Sequence, residues 1–368
     1  MKAAVCHELG KPLIVEDVRL DAPAGGEVRV RIGAVAICHS DVHLVRGDWV
    51  GWSAGPPVVA GHEAAGVVTD VGPGVTRFRP GDRVVVSLLR ACGGCVPCLT
   101  GAGYLCEGSF ALTTEHRLHT RSGQPISAGT RVAGFAEAAV VDQSQLVKIP
   151  DDIGLDRACL LACGVITGIG AVLNTAQLTP GSSAVVIGAG GVGVNAIQGA
   201  ALAGAAPIVA VDVIERKLSV ARSFGATHAV DGRQGDAAGL VRELTGGRGA
   251  DYVFVTVGDA AAVTRALTLT RRGGTVVLVG MPAAGATAPI SVGDFAGGGF
   301  RLLGSNMGST RLGVDVPRLI ARYREGRLRL DELITARYPL EGINEAIVAM
   351  EGGEALRNVI VFPGAEAP

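Results

Sequence analysis

From Gly181 to Val211 the chain carries no charged residue, a stretch long enough by length alone to span a bilayer. Its interior argues for a different kind of burial. Ser182–Ile187 is a β-rich run, Gly188–Gly193 a glycine turn, Asn195–Gly204 a helix of small residues, and Pro207–Val211 a second β-rich run. The segment therefore folds back on itself, and the irregular backbone of its turn would leave polar groups unpaired in lipid. Strand, helix and strand in this order form a unit with parallel strands buried under helices. No membrane is expected as a partner.

The turn reads Gly188-Ala189-Gly190-Gly191-Val192-Gly193, and Asp212 ends the next strand 19 residues beyond Gly193. Order and spacing match the dinucleotide fingerprint. Gly188 permits the tight turn, Gly190 lets the backbone approach a pyrophosphate, and Gly193 lets helix and strand pack closely. Gly191 and Val192 open the helix whose N-terminus favours the phosphates. Asp212 can accept hydrogen bonds from ribose hydroxyls and would repel a 2′-phosphate, so NAD is favoured over NADP. Lys217 could reach the same ribose, or simply be a solvated helix lysine.

At 368 residues the chain exceeds one hydrophobic core, and about two domains are expected. Up to about residue 160, short β-type runs (Leu13–Leu20, Val28–Ile37, Val67–Val71, Arg83–Ser87, Ala138–Val141) alternate with Gly- and Pro-rich breaks, which suits a mostly β domain. From about Ile166 the runs alternate with helical stretches, so a parallel sheet covered by helices follows. Two helical patterns, Val314–Glu325 and Ile343–Met350, precede Asn358–Phe362, which should return to complete the first domain. The expected division is 1–165 with 306–368, including a lobe at about 88–110, and 166–305 for the nucleotide domain. A net charge of −1 gives no reason to expect nucleic acid. Charge arrives at Lys2 and Glu8 before any apolar run long enough for a signal peptide, and a cytoplasmic location is expected.

Cys92, Cys95, Cys98 and Cys106 follow the spacing C-x2-C-x2-C-x7-C in a glycine-rich loop. Four thiolates so placed can surround one tetrahedral Zn²⁺, leaving no site for water or substrate, so the ion would be structural. An iron–sulfur cluster, disulfides or free thiols are the other readings of the same spacing. Three more candidate ligands, Cys38, His62 and Cys163, are joined by no short spacing. Taken singly, each reads as a buried thiol or a packed histidine.

The segment Gly61-His62-Glu63-x2-Gly66-x5-Gly72-x2-Val75 resembles the signature of the zinc-containing alcohol dehydrogenases of the medium-chain dehydrogenase superfamily. The four-cysteine lobe and the nucleotide motif follow in that family's order, and the likeness runs from about Lys2 to Phe362. It implies a GroES-like β domain beside a Rossmann doubly wound sheet, with two Zn²⁺ per chain and NAD. Cys38, His62 and Cys163 would bind a catalytic zinc that raises the acidity of an alcohol, whose hydride passes to the nicotinamide. Ser40 would take the hydroxyl proton and relay it to His43. Asp41 would orient His62, and Glu63 would lie behind the metal or serve as partner in a structural ion pair. His39 and Arg357 match positions that meet the pyrophosphate, and Thr167 matches one beside the nicotinamide. Histidine at 39, where some relatives carry arginine, predicts looser and pH-sensitive cofactor binding. Cys6 and Cys159 match no ligand position and are assigned to packing.

Relative to the family, Ser40 is smaller than an alternative threonine, and Leu88 stands where an aromatic residue is frequent. Both widen the space by the zinc and point to bulky primary, aromatic or secondary alcohols and their carbonyl products. The segment Gly108–Gly134 resembles the longer-loop branch that includes thiol-adduct formaldehyde dehydrogenases. There Phe110 replaces an arginine that helps bind glutathione conjugates, leaving a mycothiol-type adduct as the alternative substrate. Trp49 and Trp52 could wall the substrate mouth or pack in a loop. A non-catalytic nucleotide-binding protein is the competing class, disfavoured because all three zinc ligands, Ser40 and His43 are kept. The resemblance also implies a homodimer, with a tetramer as the other assembly, joined through sheet edges near Phe300–Gly304.

Overall fold

The computed structural model describes residues 1–49, 55–233, 236–353 and 355–363, so Trp52 lies outside the described residues. By packing, the chain divides into two units, Met1–Cys163 with Arg311–Pro368, and Gly164–Thr310.

In the first unit, the strand Glu27–Ala36 is the centre of a seven-stranded sheet. It pairs antiparallel with Glu63–Val71, Ala138–Asp142 and Arg357–Val361. The last of these is the returning C-terminal run. Arg83–Val86 extends the sheet beyond Glu63–Val71, and Leu146–Lys148 extends it further. A second sheet joins Lys2–Val5, Ile14–Leu20, Leu118–Thr120, Pro125–Ala128 and Val58–Val59. The core is aliphatic and built mainly on β-branched residues, with Val28, Val30, Ile32, Val35, Val84, Val86 and Ile360 all fully buried. Such residues suit pleated strands, which explains the β character of this half of the chain.

The second unit is a six-stranded sheet in the order His228–Asp231, Ile208–Asp212, Ala184–Ile187, Ala250–Val255, Thr270–Leu278, Arg301–Gly304. Every pairing in it is parallel. Strand order reverses beside Ala184–Ile187, so the sheet is doubly wound, with its switch point at the carboxyl end of that strand. The charge-free stretch is accounted for in full: Ala184–Ile187, the helix Gly191–Leu202 and Ile208–Asp212. Among the described residues no single helix is long and apolar enough to cross a membrane.

The glycine turn works by sterics. Gly188 sits at φ +94°, and a Cβ at Gly193 would stand 1.8 Å from the Gly188 carbonyl oxygen. A Cβ at Gly190 would meet nothing within 4 Å. Gly193→Ala should therefore lose about 1–3 kcal/mol of stability through overpacking, whereas Gly190→Ala should stay close to the parent in urea denaturation. Equal midpoints for the two variants would remove the packing explanation.

Candidate metal centres and nucleotide site

Register delivers the buried cluster. Ala36 pairs with Glu63 across the central strands, so Cys38, just past the end of one strand, lies near His62, just before the start of the other. Cys38 is the N-cap of the helix His39–Arg46, and Cys163 follows the turn Cys159–Ala162. One donor atom from each of Cys38, His62, Glu63 and Cys163 lies within 4.8 Å of the other three, and all four residues are buried.

Asp41 fixes this geometry. Its carboxylate accepts from the Cys38 amide at 3.2 Å and the Gly61 amide at 2.9 Å, and its Oδ1 lies 2.9 Å from His62 Nδ1. With Nδ1 engaged, Nε2 is the nitrogen turned to the thiols, 3.3 Å from Cys163 Sγ. Two sulfurs and one imidazole nitrogen form a donor set that suits zinc, with the Glu63 carboxylate within reach as a fourth donor. Cys38 is held well below the usual thiol range, first by its hydrogen bond with Cys163, with burial opposing and His62 adding to the effect. Glu63 has neither carboxylate oxygen hydrogen-bonded, and burial pushes its acid up to about 8, with the Arg357 guanidinium opposing. Buried carboxylate oxygens without hydrogen bonds, behind two thiols and an imidazole, fit a cation centre.

Arg357 lies in the same pocket. It is 4% exposed, with Nε 3.4 Å from Glu63 Oε2 and Nη2 without a hydrogen-bond partner. Glu63 is thus ion-paired with Arg357. His43, one turn beyond His39, has Nδ1 at 2.7 Å from Asp48 Oδ2, and its ring stacks on Trp49 with centroids 5.2 Å apart. Ser40 is half-buried in the first turn of the same helix and His39 is exposed there. Asp48 carries no sequence signal beyond standing just after Gly47, the left-handed C-cap of that helix, and sequence reasoning passed over it.

The second cluster is small, with Cys92 exposed and Cys95, Cys98 and Cys106 half-buried. The four sulfurs of Cys92, Cys95, Cys98 and Cys106 lie within 4.8 Å of one another, against an edge of about 3.8 Å for a tetrahedron with 2.3 Å Zn–S bonds. All four are free thiols, so the disulfide reading does not describe this lobe. The amides of Cys92 and Gly108 donate to Cys106 Sγ and that of Cys95 to Cys92 Sγ. The amides of Glu107 and Cys98 hold the Cys95 thiol down at about 6, while burial pushes the Cys98 thiol up to about 12. Such N–H···S contacts favour thiolates and hence metal.

In the second unit, Asp212 ends its strand with Oδ2 accepting from the Ala189 amide at 2.6 Å and Oδ1 from the Ile214 amide at 2.9 Å. The acid is thereby tied to the glycine turn. Gly191 and Val192 begin the helix capped by Gly190, and Lys217 is half-buried in the helix Glu215–Ser223. Thr167 is buried and donates to Met307 Sδ at 3.7 Å. Open space at Gly190, a helix N-terminus and a fixed acid together fit a dinucleotide.

Cys98→Ser should bring bound zinc from two ions per chain to one and open residues 92–106 to protease. Metal content by mass spectrometry and the position of the first cleavages check this; an unchanged count of two would remove the four-cysteine assignment.

Residues 24–151 match the model of the alcohol dehydrogenase GroES-like domain, and residues 191–323 that of the zinc-binding dehydrogenase. The chain is 40% identical over 374 residues to the NDMA-dependent alcohol dehydrogenase of Amycolatopsis methanolica, covering 98% of each chain. It is 36% identical over 382 residues to the S-(hydroxymethyl)glutathione dehydrogenase of Paracoccus denitrificans, covering 98% of this chain and 99% of the relative. Among solved structures, the benzyl alcohol dehydrogenase from Acinetobacter calcoaceticus superposes with a TM-score of 0.91 at 30% identity, covering 98% and 99% of the two chains. Joined to a GroES-like β domain, a doubly wound sheet and two thiol-rich clusters, these likenesses assign the chain to the zinc- and NAD-dependent alcohol dehydrogenases of the medium-chain dehydrogenase/reductase superfamily.

Proposed function

We propose that the chain acts on bulky primary, aromatic or secondary alcohols, with Cys38, His62 and Cys163 as ligands of the catalytic zinc and the four-cysteine lobe as the structural site. The observation that supports this is the buried cluster itself: donor atoms of Cys38, His62, Cys163 and Glu63 converge, and Asp41 engages Nδ1 of His62. Zinc supplies Lewis acidity that makes an alcohol a stronger acid, and the nicotinamide accepts hydride. The protein's own part is to orient and to move the proton. Ser40 takes the hydroxyl proton and His43 exchanges it with solvent. Because Asp48 engages Nδ1 of His43, Nε2 is the nitrogen left for that exchange, and Trp49 holds the ring plane. Arg357, with Nη2 unpaired, and His39 supply cations for the pyrophosphate; Gly188, Gly190, Gly191, Val192 and Gly193 supply the turn; Asp212 and Lys217 hold the ribose, and Thr167 flanks the nicotinamide.

Leu88 packs only partly buried against the first core, and its branched side chain leaves more room than an aromatic ring. The solved benzyl alcohol dehydrogenase supports an aromatic substrate. The relative named for S-(hydroxymethyl)glutathione supports a thiol-adduct reading as second choice. We place the enzyme in the cytoplasm as a homodimer, or a tetramer built from it, joined at the edge strand Arg301–Gly304; sedimentation tests the assembly.

On a panel of ethanol, benzyl alcohol, a secondary alcohol and S-hydroxymethyl thiol adducts, kcat/KM should be highest for the bulky alcohols. Ethanol ranking first would overturn the pocket argument, and a thiol adduct ranking first would promote the second reading. His43→Ala should lower kcat by about a hundredfold with part of the loss restored by imidazole in the buffer. Asp48→Ala should lower kcat by a smaller factor without affecting zinc content. Full activity in both variants would remove the relay.

A further inference from the structure

The described residues contain six non-glycine residues with positive φ, and three of them, Thr130, Arg131 and Ala133 at 49°, 66° and 60°, fall in one short turn. Side-chain-bearing residues persist in this conformation only where their surroundings over-determine it. The determinant here is a buried pair. Arg90 is 4% exposed and Gln145 fully buried, and Arg90 Nε donates to Gln145 Oε1 at 2.9 Å. Both side chains then donate to the same acceptor, the Arg131 carbonyl, from Arg90 Nη2 at 3.3 Å and Gln145 Nε2 at 3.1 Å. No carboxylate pairs with Arg90 among the described residues. Its remaining contacts are the Thr113 hydroxyl at 3.4 Å and the face of Phe110 at 5.5 Å. Burial lowers its pKa to about 10, so its charge is spent on neutral oxygens in a desolvated setting, where such bonds are strong.

Two arms run from this pair toward the buried cluster. Through the turn, Thr130 Oγ1 donates at 3.4 Å to Asp41 Oδ1, the atom beside His62 Nδ1. Through the sheet, Gln145 Nε2 donates to the Ser87 carbonyl at 2.8 Å, and Ser87 Oγ donates at 2.7 Å to the carbonyl of Ala162, the residue before Cys163. We propose that Arg90 and Gln145 form a buried clamp that positions two of the three zinc ligands, His62 through Thr130 and Asp41, and Cys163 through Ser87 and Ala162. The clamp rests on the reading of Cys38, His62 and Cys163 as ligands, and its members are positioning residues that touch neither metal nor substrate. Partners beyond the first ligands set ligand orientation and, when removed, typically cost about 10- to 100-fold in metal affinity.

The test uses the full chain with Co²⁺ in the catalytic site and zinc in the four-cysteine site. Two quantities are read: release of each metal to a chelator and the visible spectrum of the cobalt. Thr130→Val and Ser87→Ala should each release cobalt about 10-fold faster and shift its ligand-field bands, with zinc release from the lobe unchanged. Thr130→Ser, which keeps the hydroxyl, should restore the parent values. Arg90→Met should combine both effects and Arg90→Lys recover part of them. The clamp is overturned if Thr130→Val and Ser87→Ala leave release and spectrum unchanged, or if both metals leave faster in step with a general fall in Tm. Should Arg90→Met fail to fold, the two single-arm variants still decide. A parent cobalt spectrum identical to that of Cys163→Ser would refute the ligand reading itself, and the clamp with it.

Discussion

One carboxylate holds the buried thiol and imidazole cluster in shape. Asp41 is almost wholly buried, and it gathers the amide that begins a helix, the amide that precedes a strand, and the imidazole between them. Each donor would otherwise sit unpaired in a low-dielectric interior, where an unmade bond costs more than a made one gains. The antiparallel register brings Cys38 and His62 into range, and Asp41 turns that proximity into an orientation.

Charge balance in the pocket follows the same economy of partners. Two thiolates would offset a divalent cation, Glu63 is set against Arg357, and the Asp41 carboxylate is satisfied by two amides and the His62 imidazole, so each buried ionisable group has a partner, which is the condition under which such groups persist away from water. Arg357 comes from the returning C-terminal strand Arg357–Val361. That strand therefore completes both the central sheet and the electrostatics, and the first unit needs both ends of the chain.

Local chemistry was legible in the sequence; long-range geometry was not. The glycine turn, its acid at Asp212 and the helical patterns Val314–Glu325 and Ile343–Met350, formed as Leu312–Arg324 and Ile343–Glu351, can be read from spacing because their constraints act within a few residues. The four-cysteine lobe is legible for the same reason. Cys38, His62 and Cys163 are joined by sheet register and a distant turn, so only a family likeness could select them. Short strands such as His228–Asp231 and Ile334–Tyr338 escaped because their mixed polar content gives too few apolar alternations. Asp48, Arg90, Gln145 and Thr130 escaped because a single polar residue in a loop has no period, and its partner is chosen by the tertiary fold.

The cysteine lobe is also held together by a different force from the rest of the chain. Neither its helix Val96–Leu99 nor the turn Gly103–Leu105 has a buried residue, and Val96 and Leu99 are 71% and 72% exposed. Hydrophobic burial carries a large heat-capacity change and makes stability curve with temperature, whereas coordination bonds bury almost no apolar surface. Local order in this lobe should therefore follow the chemical potential of zinc rather than the thermal stability curve of the two cores. A metal-starved cell could hold a protein whose sheets are intact while this one loop has melted.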